Sequence, residues 1–419
     1  MSQDLKPRDA AEVEQAVQWA LADEKTLEIV GAGSKRAIGR AAQWDATLDL
    51  SGLSGITLYE PAELVLSAKA GTPLAEIETL LAANAQELAF EPLDYGPLLG
   101  VPPGAATIGG VIAANLSGPR RVKAGAARDH FLGVAAVSGR GESFKAGGRV
   151  VKNVTGYDLC KLLAGSWGTL AVMTEVTLKV MPRPESERTL VLRDLDHAAA
   201  NQAMTAALGS PFDVSGAAHV PKSALRDTIG ALGSLGSPRS ALTLVRLEGI
   251  TASAVHRAAS LAKLLSTFGT AETIDDERSA AVWECVRDVE PFAAKGPLGA
   301  WPVWRIVCPP ASGGALGERL ARETGGDVLY DWGGGLIWAA MPLRPDAQAT
   351  LVRERAAAAG GHAMLLRAPD EVRRQIDVFH PASAGVAALS ERVRQSFDPK
   401  SILNRGRMRR LGASSGAPA

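Results

Sequence analysis

The chain has 419 residues, 46% of them hydrophobic, and its 45 lysine and arginine residues balance its 45 aspartate and glutamate residues. This length and apolar content predict two or three globular domains with ordinary cores. The zero formal net charge excludes the strongly basic surface typical of nucleic-acid-binding proteins, and no polybasic block predicts a contact with an anionic membrane surface.

The amino terminus and the cysteines indicate the compartment. Residues Met1 to Pro7 contain no apolar core, so no signal peptide is expected. The three cysteines, Cys160, Cys285 and Cys308, lie far apart and form no C-x-x-C pair. This spacing favours a reducing compartment and argues against a disulfide framework, a zinc site or an iron–sulfur cluster. We therefore expect a cytoplasmic protein that holds no metal, binds no nucleic acid and does not insert into a membrane.

A strand followed by a glycine turn comes after an amphipathic helix predicted over Asp9 to Asp23. Leu27 to Val30 predicts the strand, and Gly31 to Lys35 predicts the turn. The turn is similar to a dinucleotide fingerprint, but Arg36 occupies the position where the Rossmann pattern needs glycine. Two interpretations stay open: the turn cradles a pyrophosphate through its N–H groups, or it simply ends a strand.

The stretch from Pro97 to Gly118 holds no charged residue, but five glycines and three prolines interrupt it. A membrane-spanning helix would not tolerate so many helix breakers together with Asn115 and Ser117. We instead predict a tight apolar loop over Pro103 to Gly110, followed by a short helix from Val111 to Asn115. Such a loop lets N–H groups approach a bulky anionic ligand, although a buried turn between core elements explains the same composition.

Strands and glycine-rich turns make up most of the rest of this half. Strands are predicted at 46–50, 56–59, 64–70, 131–137 and 169–180, and helices at 72–81 and 159–163. Further glycine-containing loops lie at Gly125 to Asp129 and Lys152 to Asp158. Because strands dominate and helices are few, this half is predicted to have an α+β architecture.

Two prolines within Met181 to Glu185 mark the predicted domain boundary. Beyond it, strands alternate with alanine-rich helices. Strands are predicted at 189–192, 241–247, 303–307 and 336–340, and helices at 198–208 and 252–268. This alternation predicts paired β-α-β units in a ferredoxin-like layered domain.

Four loops of the first half together resemble those of a known family. They cover 31–35, 104–110, 125–129 and 152–158, and further motifs stand at Val151 to Leu159, Gly165 to Leu170 and Phe397 to Arg407. The chain resembles the vanillyl-alcohol-oxidase family with its PCMH-type FAD-binding domain, and within it the FAD-binding subunits of bacterial glycolate oxidases. The resemblance implies a two-subdomain FAD-binding domain over 1–183, a ferredoxin-like α+β FAD-linked oxidase C-terminal (cap) domain over 184–396, a segment over 397–410 that returns to the flavin, and a flexible tail over 411–419.

The resemblance also implies noncovalent FAD, whose diphosphate lies between the first two loops with Lys35 either as a counter-charge or as an ordinary surface residue. No histidine or cysteine lies between Val30 and Arg40, which excludes a covalent flavin link at that loop. Arg128 and Asp129 either close over the cofactor or form a plain salt bridge. The residues implied to bind FAD are Gly31, Ala32, Gly33, Ser34, Lys35, Pro103, Gly104, Ala105, Thr107, Ile108, Gly109, Gly110, Asn115, Gly118, Arg128, Asp129, Gly156, Val172, Glu175, Val176 and Asn404.

No residue stands out for catalysis. Arg305 is a candidate anchor for a substrate carboxylate, and His130 is a chemical candidate whose setting is more typical of a structural histidine. The catalytic D-type subunits that the chain resembles carry a His-Gly-Asp-Gly-Asn-like motif, and this sequence has no such run. The remaining second-half histidines are interpreted as isolated surface or capping residues, and the tryptophans as core residues rather than pocket lining. These are His219, His256, His362 and His380, and Trp283, Trp304, Trp332 and Trp338.

The resemblance therefore implies an FAD-carrying subunit that supports oxidation of glycolate to glyoxylate. Its partners would be a catalytic FAD-binding D-type subunit and an iron–sulfur F-type subunit, with a small 2-hydroxy acid as substrate of the complex. Any contact with the inner membrane would run through these partners. Two alternatives stay open: a self-sufficient FAD-dependent 2-hydroxy-acid dehydrogenase acting on lactate or glycolate, and a scaffold subunit with a vestigial flavin site.

Overall fold

The structure is a computed structural model that describes residues 3–149, 156–225, 230–235 and 240–410. The motif residues Val151 to Thr155 and the predicted tail at 411–419 lie outside the described residues. The chain forms two lobes. We call them the amino-terminal lobe, whose sheets are built from residues 3–182, and the carboxy-terminal lobe, whose sheet is built from residues 186–367.

The amino-terminal lobe combines a small parallel sheet with a larger antiparallel one. Its strands are β1 (Gln3–Leu5), β2 (Leu27–Val30), β3 (Ala46–Asp49), β4 (Ile56–Glu60), β5 (Val65–Lys69), β6 (Gln86–Glu87), β7 (Phe131–Ser138), β8 (Ser143–Gly147), β9 (Ala171–Lys179) and β10 (Met181–Pro182). Its helices are α1 (Ala10–Ala22), α2 (Leu74–Ala82), α3 (Gly96–Leu99), α4 (Ile108–Ala114), α5 (Arg121–Ala124), α6 (Ala127–His130) and α7 (Leu159–Leu163). The strand orders are β1-β3-β2, all parallel, β4-β5-β9-β7-β8, all antiparallel, and the pair β10-β6. The predicted α+β architecture is confirmed.

Helix α1 packs against the lobe through a single apolar face. Asp9 caps the helix, because its carboxylate accepts a hydrogen bond from the Glu12 N–H at 2.8 Å. Val13, Val17 and Ala20 are buried in one cluster with residues of the parallel sheet. Their spacing of three and four residues places them on one side of a helix. In the sheet that this helix covers, strand β2 leads directly into the turn over 31–35.

The helix after the apolar loop begins earlier than predicted, at Ile108. Thr107 caps it, since its side-chain oxygen accepts a hydrogen bond from the Gly110 N–H at 3.4 Å. The Gly109 N–H donates to the Ala70 carbonyl at 2.8 Å. Gly109 and Gly110 belong to the first helical turn. The cap and the contact with Ala70 offset their low helix propensity.

The carboxy-terminal lobe is one eight-stranded sheet, ordered β14-β11-β13-β12-β16-β17-β15-β18, with every neighbouring pair antiparallel. Its strands are β11 (Ser186–Arg193), β12 (Val214–Val220), β13 (Leu242–Gly249), β14 (Glu272–Asp275), β15 (Val303–Val307), β16 (Asp327–Asp331), β17 (Leu336–Ala340) and β18 (His362–Arg367). Its helices are α8 (His197–Leu208), α9 (Lys222–Leu225), α10 (Ala231–Leu235), α11 (Thr251–Leu264), α12 (Asp276–Arg287), α13 (Gly313–Thr324), α14 (Ala349–Ala358), α15 (Asp370–Gln375) and α16 (Ala384–Phe397). In the described ranges, no helix has both the length and the apolar character needed to cross a bilayer.

The eight strands divide into two ferredoxin-like units. The first unit has the strand order β14-β11-β13-β12. The second unit has the order β16-β17-β15-β18, which is the same arrangement of its four strands read in the opposite direction. The units meet edge to edge where His219 of β12 pairs with Tyr330 of β16. The ferredoxin-like prediction is confirmed, as two such units that share one sheet.

One face of this sheet packs against the amino-terminal lobe, and we call the boundary the seam. A single buried cluster contains Phe90 and Ile112 from the amino-terminal lobe and Leu329 and Trp338 from the sheet. The predicted core tryptophans are all buried: Trp283, Trp304, Trp332 and Trp338. Because Arg305 of β15 pairs with Trp338 of β17, both side chains lie on the face that borders the seam.

The end of the described chain returns to the amino-terminal lobe. Leu403 forms a parallel bridge with Leu27 of β2, and the Asn404 N–H donates to the Leu27 carbonyl at 2.9 Å. The buried Asp398 carboxylate accepts hydrogen bonds from the N–H groups of Ile402 at 3.0 Å and Leu403 at 2.9 Å. The returning segment thus adds to the parallel sheet beside β2.

Candidate cofactor-binding cleft

Two glycine-containing loops face each other across a cleft. Residues 29–36, which continue from β2, form one wall, and Thr107, Gly109 and Gly110 form the opposite wall. Trp167, Gly168, Asn404 and Arg407 line the cleft together with Leu50, Ala70, Ala113, Ala171 and Met173. The structure therefore brings together the two loops that the sequence predicts to face one ligand.

The first wall offers main-chain donors at close range. A Cβ on Gly31 would lie 2.2 Å from Thr107 Oγ1, so only glycine fits where the two walls meet. In the described part of the chain, the N–H groups of residues 32 to 35 donate to no protein acceptor. Successive unpaired N–H groups in a concave wall are suited to an anion with several acceptor oxygens.

Lys35 places its ammonium between the two walls. A Cβ on Gly110 would lie 3.5 Å from Lys35 Nζ, and this nitrogen donates a hydrogen bond to Ser34 Oγ at 3.1 Å. No carboxylate pairs with it among the residues that the structure describes. Burial lowers the pKa of Lys35 to about 8, and the negative charge of Asp94 opposes only part of this effect. An enclosed cation without a protein counter-ion is matched by an anionic ligand.

The returning carboxy-terminal segment contributes Asn404 to the cleft. Its side-chain oxygen accepts a hydrogen bond from the Ile29 N–H at 2.9 Å, and its amide donates to the Trp167 carbonyl at 2.8 Å. A Cβ on Gly168, whose φ is +68°, would lie 2.8 Å from Asn404 Nδ2. One side chain therefore joins β2, the Trp167 turn and the end of the chain.

Arg407 is a cleft residue that the sequence reasoning did not single out. Its guanidinium donates to Glu28 Oε1 at 3.3 Å, and Arg36 pairs with Glu28 Oε2 at 2.7 Å. Burial lowers the pKa of Arg407 to about 10, and its Nε has no hydrogen-bond partner among the described residues. Arg407 belongs to the carboxy-terminal motif, so the sequence could have suggested it as a site residue. Only the fold shows that this motif reaches Glu28.

The other residues predicted to bind FAD do not line this cleft. They are Pro103, Gly104, Ala105, Ile108, Asn115, Gly118, Arg128, Asp129, Gly156, Val172, Glu175 and Val176. Gly104 is exposed, and its N–H donates to the Asp94 carboxylate at 2.6 Å. Arg128 and Asp129 form an exposed ion pair at 3.6 Å.

The rest of this set is placed in the surrounding structure. Ile108, Val172 and Val176 are buried in apolar clusters, and Glu175 lies within the antiparallel sheet. Asn115 accepts a hydrogen bond from the Arg128 N–H at 3.0 Å, and Gly118 lies at the seam, where its carbonyl accepts from Trp332 Nε1 at 3.0 Å. A role of these residues toward FAD stays a prediction.

Neither catalytic candidate lines the cleft. His130 is buried beside Phe90 with ring centres 5.3 Å apart, and its Nε2 lies 2.9 Å from the Ala124 carbonyl. This setting is that of a structural histidine. Arg305 is half-buried at the seam, where its guanidinium carbon lies 5.1 Å from the centre of the Trp332 ring system.

The interpretation of the second-half histidines as isolated surface or capping residues was wrong for His219, and His362 and His380 are not isolated, although His362 is exposed. His219 is buried, and its Nδ1 lies 2.9 Å from Thr243 Oγ1. The rings of His362 and His380 lie 5.9 Å apart. These pairs join residues from different elements, which spacing along the sequence could not reveal.

Comparisons with known proteins agree with this geometry. A family model described as "FAD binding domain" matches residues 2–147. Glycolate oxidase subunit GlcE of Escherichia coli (strain K12) is 32% identical over 394 residues, which cover 94% of this chain and 95% of GlcE. Glycolate oxidase subunit GlcD of Bacillus subtilis (strain 168) is 43% identical over 86 residues, which cover 20% of this chain and 18% of GlcD. A solved structure of alkyldihydroxyacetonephosphate synthase has a TM-score of 0.68 at 16% identity and covers 96% of this chain and 75% of that chain, which supports the fold alone.

FAD is the cofactor that these comparisons support, and the cleft fits it. The free N–H groups of residues 32 to 35 and the unpaired Lys35 ammonium suit a diphosphate, and the close approach of Gly31 to Thr107 leaves a wall of main chain. The chain belongs to the family of FAD-linked oxidoreductases that includes the glycolate oxidase subunit GlcE.

Proposed function

We propose that the chain is the FAD-carrying subunit of a glycolate oxidase complex and that the cleft holds the FAD diphosphate. The observation that carries this proposal is the convergence of Gly31 to Lys35 and Thr107 to Gly110 on one cleft. Two negative phosphates need many donors and a counter-charge, and the free N–H groups with the Lys35 ammonium supply both.

Residues of the cleft would hold FAD through main-chain donors, while side chains close its ends. Gly31, Ala32, Gly33, Ser34 and Lys35 would bind the diphosphate from one wall, and Thr107, Gly109 and Gly110 from the other. Asn404 would hold the returning segment against this site, and Arg407 would add a second enclosed cation. When bound, FAD supplies a two-electron acceptor that can also pass electrons singly. We propose residues 1–183 as the FAD-binding unit and 184–396 as the cap that covers it.

The oxidation of glycolate itself is assigned to a partner subunit. The sequence has no His-Gly-Asp-Gly-Asn-like run, and the cleft lining contains no histidine. GlcE and GlcD are both named as subunits of glycolate oxidase, which supports an assembly with a catalytic D-type subunit. We propose that the flavin of this chain relays electrons from that subunit to an iron–sulfur F-type subunit, and that any membrane contact is made through these partners.

The absorption spectrum of the purified chain tests the proposal. We expect a yellow protein with oxidised, releasable flavin that bleaches little when glycolate is added without oxygen. Bleaching would increase when the D-type subunit is added. Rapid bleaching by the chain alone would identify a self-sufficient 2-hydroxy-acid dehydrogenase, and colourless protein that takes up no FAD would identify a scaffold subunit. Either result would contradict the proposal.

A further inference from the structure

Two arginines at the seam share one aromatic ring system and have no acidic partner. The guanidinium carbon of Arg121, on α5, lies 4.4 Å from the centre of the Trp332 ring system, and that of Arg305, on β15, lies 5.1 Å from it. In the described part of the chain, neither guanidinium forms a hydrogen bond or an ion pair with another side chain. The two lobes therefore each contribute one unneutralised cation to the same place.

Neighbouring arginines at the seam are neutralised. Arg246 forms two hydrogen bonds with the Glu91 carboxylate, at 2.7 and 2.8 Å, and Arg120 pairs with Glu87 and Glu248. The neighbouring arginines thus have paired carboxylates, whereas Arg121 and Arg305 form no ion pair in the described residues. Two like charges held close together are unfavourable unless an anion joins them.

Asp331 and Asp129 act on Arg305 and Arg121 through their charge but form no ion pair with them in the described residues. The Asp331 carboxylate is buried and accepts a hydrogen bond from the Trp332 N–H at 2.7 Å, and burial raises its pKa to about 7. Asp129 pairs with Arg128. Trp332 itself is held firmly, because its Nε1 donates to the Gly118 carbonyl at 3.0 Å. Trp332 is therefore a fixed platform in contact with both guanidinium groups, and neither guanidinium forms an ion pair in the described part of the chain.

Packed rings lead from the cleft to β18, the strand beside that of Arg305. Trp167, which lines the cleft, packs edge-on against Phe379 at 5.6 Å, and the next residue, His380, lies 5.9 Å from His362. Burial lowers the pKa of His362, and the positive charges of Arg305, His380 and Arg121 lower it further. His362 lies on β18, the strand that pairs with β15 of Arg305, and it is near enough to both arginines for their charges to act on it.

We infer that Arg121 and Arg305, stacked on Trp332, form a binding site for the carboxylate of a small organic acid. Guanidinium groups bind carboxylate and phosphate through paired hydrogen bonds, and half-buried sites strengthen such bonds. The choice of a carboxylate over a phosphate rests on the proposed function, in which a 2-hydroxy acid reaches the complex. Through this site the chain would bind the acid directly, whether or not the chain itself oxidises the acid.

Calorimetric titration of the FAD-loaded chain with glycolate tests this inference, with glycolamide as an uncharged analogue and inorganic phosphate as a competing anion. We expect glycolate to bind at least about tenfold more tightly than glycolamide or phosphate. Arg121→Gln and Arg305→Gln should each weaken glycolate binding by at least about tenfold. Lys123→Gln is the matched control, since it removes a cation from the same short helix but one that pairs with Asp213; it should bind glycolate like the unmodified chain.

Several outcomes would overturn the inference. They are equal binding of glycolate and glycolamide, tighter binding of phosphate, no glycolate binding, or glycolate binding that both substitutions leave unchanged. Flavin content and the melting temperature are measured on every variant. If Arg305→Gln fails to fold, the half-exposed Arg121 decides the question through its own variant. An unmodified chain that contains no flavin would contradict the proposed function. A flavin-loaded chain that does not bind glycolate would contradict only this inference.

Discussion

The side chain of Asn404 accepts a hydrogen bond from the main-chain N–H of Ile29 at 2.9 Å, although these residues stand at opposite ends of the chain. Asn404 also has a φ of +43°, a left-handed conformation that asparagine tolerates better than most residues. The oxygen of its side-chain amide accepts a hydrogen bond from the Ile29 N–H, and the nitrogen donates one to the Trp167 carbonyl. The cofactor cleft is therefore completed only when the end of the chain has docked.

Replacing Asn404 should loosen this docking. Asn404→Gly keeps a backbone that tolerates φ of +43° but removes both side-chain hydrogen bonds, leaving the Ile29 N–H unpaired. We expect a loss of about 1–3 kcal/mol in the free energy of unfolding and a lower flavin content. Urea unfolding and the ratio of flavin to protein measure the two effects. Lys400→Ala, an exposed change in the same segment, is the control; an equal effect of both would contradict the role of Asn404.

Gly31 should tolerate no side chain. Gly31→Ala would place a Cβ 2.2 Å from Thr107 Oγ1, so the two walls of the cleft must separate. We expect the flavin content to fall well below half that of the unmodified chain. Thr107→Ala removes the clashing oxygen, so the double variant should recover part of the flavin that Gly31→Ala loses.

Gly148→Ala, where a Cβ would meet no described residue within 4 Å, is the control for this prediction and should keep its flavin. Thr107→Ala alone measures the cost of losing the helix cap, about 1 kcal/mol. A Gly31→Ala chain with full flavin would contradict the proposed diphosphate site.

Lys35 should make the affinity for FAD depend on pH. Its pKa in the free chain is lowered to about 8, whereas a bound diphosphate favours the charged ammonium and raises that pKa. Above about pH 8, Lys35 therefore keeps a proton in the FAD complex that it loses in the free chain. The affinity of the chain for FAD should fall as the pH rises from about 8. Titration of the flavin-free chain with FAD between about pH 6.5 and 9.5 measures the slope.

Two substitutions of Lys35 separate charge from shape. Lys35→Gln should bind FAD at least about tenfold more weakly at neutral pH and lose the pH dependence. Lys35→Arg keeps its charge throughout this range, so its affinity should stay flat. The same slope in the unmodified chain and in Lys35→Gln would show that another group titrates.

A partly buried group of charges joins the lobes at the seam, and it includes Glu187, whose pKa is raised. The group consists of Glu87, Glu91 and Arg120 from the amino-terminal lobe and Glu187, Arg246 and Glu248 from the carboxy-terminal lobe. Four carboxylates share two guanidinium groups. Burial raises the pKa of Glu187 to about 7, although Arg246 opposes this shift. Ser279 donates a hydrogen bond to the Glu187 carboxylate at 2.6 Å.

This raised pKa predicts how stability depends on pH. Between the ordinary value of 4.5 and about 7, the folded chain holds a proton on Glu187 that the unfolded chain releases. The contribution of Glu187 to stability therefore falls as the pH rises through this window and is level above it. Glu187→Gln should abolish this loss and stabilise the chain at pH 8 by on the order of 1–3 kcal/mol. Urea unfolding at pH 5 and pH 8 measures it, with the exposed Glu185→Gln as control; a destabilised Glu187→Gln at pH 8 would contradict the prediction.

The sequence by itself determined the local parts of this protein. The strand over 27–30 with its glycine turn, the α+β and ferredoxin-like architectures, the family and the two loops of the cleft were all predicted from it. Each of these depends on hydrophobic period, on glycine placement or on short motifs, which act within a few residues of the chain. The start of α4 was misplaced because a contact with Ala70, not local propensity, decides it.

Only the tertiary structure decided which distant side chains meet. It brought Arg407 to Glu28, Asn404 to Ile29 and Arg121 to the ring that Arg305 shares, and it left Arg128 and Asp129 outside the cleft. The physical reason is that these contacts follow from strand order and from the packing of one lobe on the other. Neither leaves a periodic signal in the sequence, because the paired residues come from elements that no local rule connects.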